Sequence, residues 1–125
     1  MSDFQNALSI SASGLRAQAS RLKHVSENIA NADTPGFRRK MIEFDQADHG
    51  SVAVGNVQLD QRALEKIYDP SHPLADQNGN YLGSNVNILF EIADAREAQR
   101  SYEANLKLFD QARQMSTNLM ELLKR

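Results

Sequence analysis

Apolar residues recur every seven positions at both ends of this 125-residue chain, and the middle lacks the repeat. Leu8, Leu15, Leu22 and Ile29 form one series, and Ile88, Ala95, Tyr102 and Phe109 form the other. A seven-residue period is that of helices packed side by side. Between the two series lie about fifty residues rich in Gly, Asn, Asp and Pro, which favour turns and loops. Two terminal helices around an irregular centre predict a chain that closes on itself and packs against copies of itself or relatives. That pattern points to assembly and away from a catalytic pocket.

Each end has its own punctuation. The first helix is predicted from Ser2, with Gln5 at capping-box spacing, to about Asn31. Pro35 disfavours helical geometry at Thr34, and Gly36 follows as a turn residue. Beside its leucine stripe, the companion heptad position holds Phe4, Ser11, Gln18 and Val25, half of them polar. Ala7, Ala12, Gly14, Ala17 and Ala19 add small side chains that bury little area. The last helix is predicted over residues 88–123, with Asn87 as its N-cap and Glu91 in its first turn. Its stripe runs through Ile88, Ile92, Ala95, Gln99, Tyr102, Leu106 and Phe109. It then shifts by one position to Leu108, Ala112, Met115, Leu119 and Leu122. Such a shift suits a helix that meets different neighbours along its length. Glu103–Lys107 and Glu121–Arg125 stand at ion-pair spacing on a solvated face.

The middle reads as short strands. Ile42 and Phe44 alternate with Met41, Glu43 and Asp45, and Val52, Val54 and Leu59 suggest a second strand broken near Gly55-Asn56. Asn78-Gly79 is a hairpin signal. The predicted fold is therefore mainly α, with long N- and C-terminal helices packed as an antiparallel coiled-coil-like pair. Residues 1–31 and 86–125 form the helical core, and residues 32–85 form a small β-rich or irregular segment outside it.

Composition narrows the chemistry. Leu, Ile, Val and Phe make up a little under a quarter of the chain, there is no Trp, and aromatics are 6%. A core this modest predicts marginal stability without a partner. The net charge of −2 gives no electrostatic reason to bind nucleic acid or an anionic membrane. The absence of cysteine removes disulfides, thiolate catalysis and Cys-ligated metals. The first ten residues lack the basic start and apolar run of a cleaved secretory signal, and no stretch approaches a membrane span. His24, His49 and His72 have no second ligand at metal spacing, which predicts structural or solvent roles. Asp76, Asn78 and Asn80 have the spacing that opens a calcium loop, but its Gly and terminal Glu are misplaced. Arg38, Arg39 and Lys40 form the only basic cluster, read as a solvated turn or a salt bridge to another subunit. No P-loop, nucleophile elbow, zincin or dinucleotide motif occurs. The chain is read as having no catalytic residues, no metal and no cofactor.

The most specific segment is Asn28-Ile-Ala-Asn-Ala-Asp-Thr-Pro-Gly-Phe37. It resembles the signature near the N-terminus of bacterial flagellar rod and hook proteins, which reads roughly Asn-x-Ala-Asn-x-x-Thr-Pro-Gly-aromatic. Ser11-Ala-Ser-Gly-Leu15 resembles the small-residue run of that family. Tyr68-Asp-Pro-Ser-His-Pro-Leu-Ala-Asp-Gln-Asn-Gly79 and Arg100-Ser-Tyr-Glu-Ala-Asn105 are similar to central and C-terminal segments of a proximal rod protein within it. Ser84 departs from the Pro usual there, and the middle is somewhat shorter than typical.

The resemblance implies a structural subunit of the flagellar basal-body rod that stacks with its neighbours to transmit torque. The implied partners are other copies of the chain, other rod proteins, the basal-body membrane ring and the export apparatus, without membrane insertion. The implied route is flagellar type III export without a cleaved signal. The assembly interface is expected at Leu8, Leu15, Leu22, Ile29, Ile88, Ile92, Tyr102, Leu106, Phe109, Leu119 and Leu122. The turn expected to set the exit from the first helix comprises Asn28, Ala30, Asn31, Thr34, Pro35, Gly36 and Phe37. Rival readings are a sister rod protein of the family, or a cytoplasmic coiled-coil regulator or export chaperone.

Overall fold

A computed structural model describes residues 2–124, with Ser2 by its backbone alone. The predicted Ser2–Gln5 capping box and Glu121–Arg125 pair lie outside the described residues. Helix α1 spans Ser2–Ala30 and helix α2 spans Ile88–Lys124. At about 1.5 Å per residue they are roughly 43 and 55 Å long. They run antiparallel: Gly14 lies against Asn105, Arg21 binds Asp94, and Asn28 binds Glu91. The chain is mainly α, as its periodicity predicts, and both helices end within a residue of the predicted limits.

The seam between the helices is built from small and polar residues. Among the described residues the buried apolar side chains are Ala17, Val25, Ala98 and Ala112. Ser11, Ser13, Asn28 and Glu91 are buried with them. The two serines return their hydroxyls to their own helix, Ser11 Oγ to the Ala7 carbonyl and Ser13 Oγ to that of Ile10, both at 2.7 Å. That satisfies them without a partner on α2. A Cβ on Gly14 would stand 2.6 Å from Asn105 Oδ1, so glycine is what makes room for the Asn105 side chain here. The line of contact thus follows Ser11, Gly14, Arg21, Val25 and Asn28, one helical step from the leucine stripe. The predicted stripes flank the seam instead of facing each other across it. Small residues set the closest approach, because a leucine in the contact line would hold the axes apart. Glu103 and Lys107, at ion-pair spacing, make no salt bridge among the described residues.

Strands β1 (Lys40–Gln46) and β2 (Val52–Leu59) pair antiparallel into a ribbon. Its cross-strand pairs Ile42–Val57 and Phe44–Val54 give one apolar face. The expected break at Gly55-Asn56 is a β-bulge: two residues of β2 oppose Glu43 alone, and the strand continues. A Cβ on Gly55 would meet the Glu43 carbonyl at 3.0 Å, which explains the glycine. The ribbon lies along α1, tied at its hairpin end by the Val52 N–H to Ser13 Oγ (3.0 Å) and at its open end through Lys40 to Asn28.

A second small sheet pairs β3 (Lys66–Tyr68) with β4 (Asn80–Leu82). Asn78-Gly79 is not a two-residue hairpin. It closes a turn in which the Gly79 N–H bonds the Asp76 carbonyl (3.0 Å), inside the longer connection 69–79. Gly79 takes φ +82° there, which an L side chain resists. Asp76 Oδ1 accepts the backbone N–H groups of Asn78 (2.8 Å) and Asn80 (3.0 Å). The Asn80 N–H holds this carboxyl below the usual aspartate range. His72 stacks on Tyr81 with ring centroids 3.8 Å apart, and its Nδ1 accepts the Leu74 N–H (3.1 Å). No described helix is long and apolar enough to cross a membrane.

Candidate assembly site: the helix-end joint and the apolar stripes

The chain leaves α1 through a turn made by its own side chains. Asn31 Nδ2 donates to the Glu27 carbonyl (2.8 Å), and Asn31 Oδ1 accepts the Thr34 hydroxyl (3.1 Å). The Thr34 N–H bonds the Asn31 carbonyl, and the Phe37 N–H bonds that of Thr34. Gly36 sits at φ +77°, and its N–H reaches the carbonyls of Leu82 (3.2 Å) and Gly83 (3.0 Å). The turn is thereby fastened to the segment that leads into α2. Ser84 donates its hydroxyl to the Ala32 carbonyl. Asn87 Oδ1 accepts the Leu89 N–H (3.0 Å), the predicted N-cap of α2.

Below the turn, Asn28 is 1% exposed. Its Nδ2 donates to the Lys40 carbonyl (3.0 Å) and to Glu91 Oε2 (3.3 Å), and its Oδ1 accepts the Lys40 N–H (2.8 Å). Glu91 is fully buried, and Arg39 Nε donates to its other oxygen. A buried carboxylate needs such partners, since desolvation alone would cost several kcal/mol. The Arg39 N–H in turn bonds Asn85 Oδ1 (2.6 Å). Asn85 Nδ2 donates to the carbonyls of Asp60 (2.9 Å) and Arg62 (3.2 Å). The Asp60 N–H returns to the Arg39 carbonyl (2.8 Å).

The charges close locally. The Arg62 guanidinium bonds both Asp60 oxygens and, with the Arg62 N–H, holds that carboxyl below its ordinary range. Lys40 Nζ, 2.7 Å from Glu27 Oε2, does the same for Glu27. Arg38 donates to the carbonyls of Asp60 and Arg62. The basic cluster is therefore engaged within its own chain, and not as a solvated turn. His24 is mostly buried, and its Nδ1 has no hydrogen-bond partner among the described residues.

Of the predicted turn residues, Asn28 is buried, Asn31 and Phe37 are half-buried, and Ala30, Thr34, Pro35 and Gly36 are exposed. Of the stripe residues, Leu8, Leu15, Leu22, Tyr102, Phe109 and Leu119 are half-buried. Ile29, Ile88, Ile92, Leu106 and Leu122 are exposed, Leu122 by 66%. The fold brings the turn residues together and leaves the large apolar residues along its flanks. An apolar groove of about 480 Å³ opens between the helices near the start of α1, lined by Phe4, Ala7, Ile10, Leu108, Ala112 and Met115. Sequence reasoning missed Asp60 and Asn85, and gave Arg39 and Glu91 other roles. One signal was available: Glu91 stands seven residues before Ala98, in step with Asn105 and Ala112.

Residues 8–38 match the family described as "Flagella basal body rod protein", which covers the turn. Residues 77–122 match "Flagellar basal body rod FlgEFG protein C-terminal", which covers most of α2. The flagellar basal-body rod protein FlgC of Agrobacterium fabrum is 44% identical over 99% of this chain and 98% of its own length. The chain belongs to the FlgC family of flagellar basal-body rod proteins. The FlgC of Aquifex aeolicus is 35% identical over 99% of the chain, and that of Salmonella typhimurium 34% over 94%. As these alignments span 96–100% of those relatives, both the joint and the helix pair fall inside the shared region.

Proposed function

We propose that this FlgC-family chain is a structural subunit of the flagellar basal-body rod and works by assembly, without catalysis. In this reading the terminal helices, residues 1–31 and 86–125, form the inner layer, and residues 32–85 pack outside them. Its neighbours are other copies of the chain and other rod proteins, with contacts to the membrane ring. It reaches the basal body through the flagellar export apparatus without a cleaved signal.

The observation that carries this is the placement of the apolar stripes. The chain's own seam uses Ala17, Ala98 and Ala112, while Ile29, Ile88, Ile92 and Leu106 keep 37–46% of their surface exposed. Large apolar residues left in line along two long helices are what neighbouring helices would cover. Repeated in one direction from subunit to subunit, such contacts generate a helical assembly. Full-length likeness to rod proteins favours this over a cytoplasmic coiled-coil regulator or an export chaperone.

The test is Leu22→Asp in a strain lacking the parental gene, read as recovery of the chain in purified basal bodies and as swimming. Loss of both is expected, with the variant still present in the cell. Incorporation and motility equal to the parent would show that the stripe is not the interface.

A further inference from the structure

Asn28 on α1, Glu91 on α2, Arg39 just before β1 and Lys40 at its start meet at one buried point. Each is a partner of the others, and Glu91 is fully buried. Asn85 joins the same point to Asp60, just beyond β2. Among the described residues Glu91 bonds no residue of either strand. The ribbon itself packs on α1 and is tied to it by Ser13 and Asn28. On contacts alone, then, the ribbon should stay docked whether or not α2 is in place.

The bonding at Glu91 argues otherwise. Docking Arg39 and Asn28 without Glu91 leaves the Asn28 amide bonded to Lys40 but leaves the Arg39 guanidinium only Asp60, 4.0 Å away and already paired with Arg62. Docking α2 on α1 without Arg39 leaves the Glu91 carboxylate only the Asn28 amide, at 3.3 Å, and no cation. Removing one partner of a buried charged pair is far worse than never forming it. We propose that Glu91 is a coincidence lock: α2 pairs with α1 and the ribbon seats on α1 in a single step, because each half-made joint separates Glu91 from Arg39, its one cationic partner among the described residues. Residues 40–59 therefore report the state of the terminal helices, although α2 hardly touches them. The lock stands on the joint's own geometry and does not depend on the rod reading.

Hydrogen exchange on the full chain tests it, since local openings are read amide by amide. The reporters are the Lys40 N–H on Asn28, the Arg39 N–H on Asn85 and the Asp60 N–H on Arg39. With Glu91→Gln these amides should exchange at least tenfold faster, at a rate shared with seam amides of α2 near Ala98. If Glu91→Gln speeds exchange only in the first turns of α2 and leaves Lys40 and Asp60 as protected as in the parent, the lock does not exist. Should Glu91→Gln unfold the chain outright, the double variant Arg39→Leu/Glu91→Leu takes its place, because it strands no charge. In that variant the ribbon amides should open independently of α2. Amides that still opened together with α2 would overturn the proposal, whatever the outcome of the motility test.

Discussion

The side chain of Asn28 pairs with the backbone of Lys40 as a neighbouring strand would, accepting its N–H at 2.8 Å and donating to its carbonyl at 3.0 Å. The last turns of α1 thus supply the missing edge partner for the first residue of β1. An open strand edge is a template for unwanted pairing, and here a helix side chain closes it at its root.

Asn28→Ala removes both bonds and leaves buried groups unpaired, which should cost about 1–3 kcal/mol in urea unfolding. Asn28→Asp should cost more, although it keeps an acceptor for the Lys40 N–H. It loses the donor and sets a second carboxylate beside Glu91 Oε2, which Asn28 Nδ2 now meets at 3.3 Å. Parental stability in Asn28→Asp would contradict the pairing.

Gly14→Ala would ordinarily stabilise a helix interior by about 0.5–1 kcal/mol. Here the new methyl would lie 2.6 Å from Asn105 Oδ1, and Asn105 Nδ2 is held by the Ser101 carbonyl at 2.9 Å. A net loss of stability is expected, recovered in the double variant Gly14→Ala/Asn105→Ala. Thermal melts of the four chains give the coupling directly, and additive effects would refute it.

Acid should loosen the joint and the loop together. Asp60, Glu27 and Asp76 are held below their ordinary ranges by Arg62, Lys40 and the Asn80 N–H respectively. A depressed carboxyl contributes stability above its unfolded pKa of about 4, lost as pH falls through the lower folded value. Stability should therefore hold near neutrality and decline below about pH 4. Asp60→Asn should lower stability near neutrality and flatten that acid limb. An acid limb as steep as the parent's would show that Asp60 carries none of it.

At Gly36 only the backbone matters, because a Cβ there meets nothing within 4 Å. At φ +77° a β-branched residue is strained while asparagine tolerates the region. Gly36→Val should lose about 1–2 kcal/mol and Gly36→Asn clearly less. Equal losses measured by unfolding would point to a contact other than strain.

The helix limits were legible because Asn87, Pro35 and Gly36 act locally. The exit turn was legible for the same reason, with Asn31 and Thr34 bonding within a few residues of themselves. The seam was not. Hydrophobic periodicity weights leucine over alanine, whereas the closest line between helices belongs to the smallest side chains. Glu91 has the local features of a first-turn acid, and only the approach of Arg39 and Asn28 makes its burial possible. Gly55 marks an irregularity in either reading, and only the cross-strand register separates a bulge from a break.

A seam of alanine, serine and glycine has a thermodynamic consequence beyond geometry. These side chains have almost no rotamers to freeze, whereas each leucine, methionine or lysine brought into a contact loses roughly 0.5–2 kcal/mol of freedom. Closing α1 on α2 therefore spends little configurational entropy and gains little transfer energy. The larger apolar side chains, Ile88, Ile92, Leu106 and Leu122 among them, stay exposed on the flanks, so most of the apolar area these helices could still bury lies outside the seam.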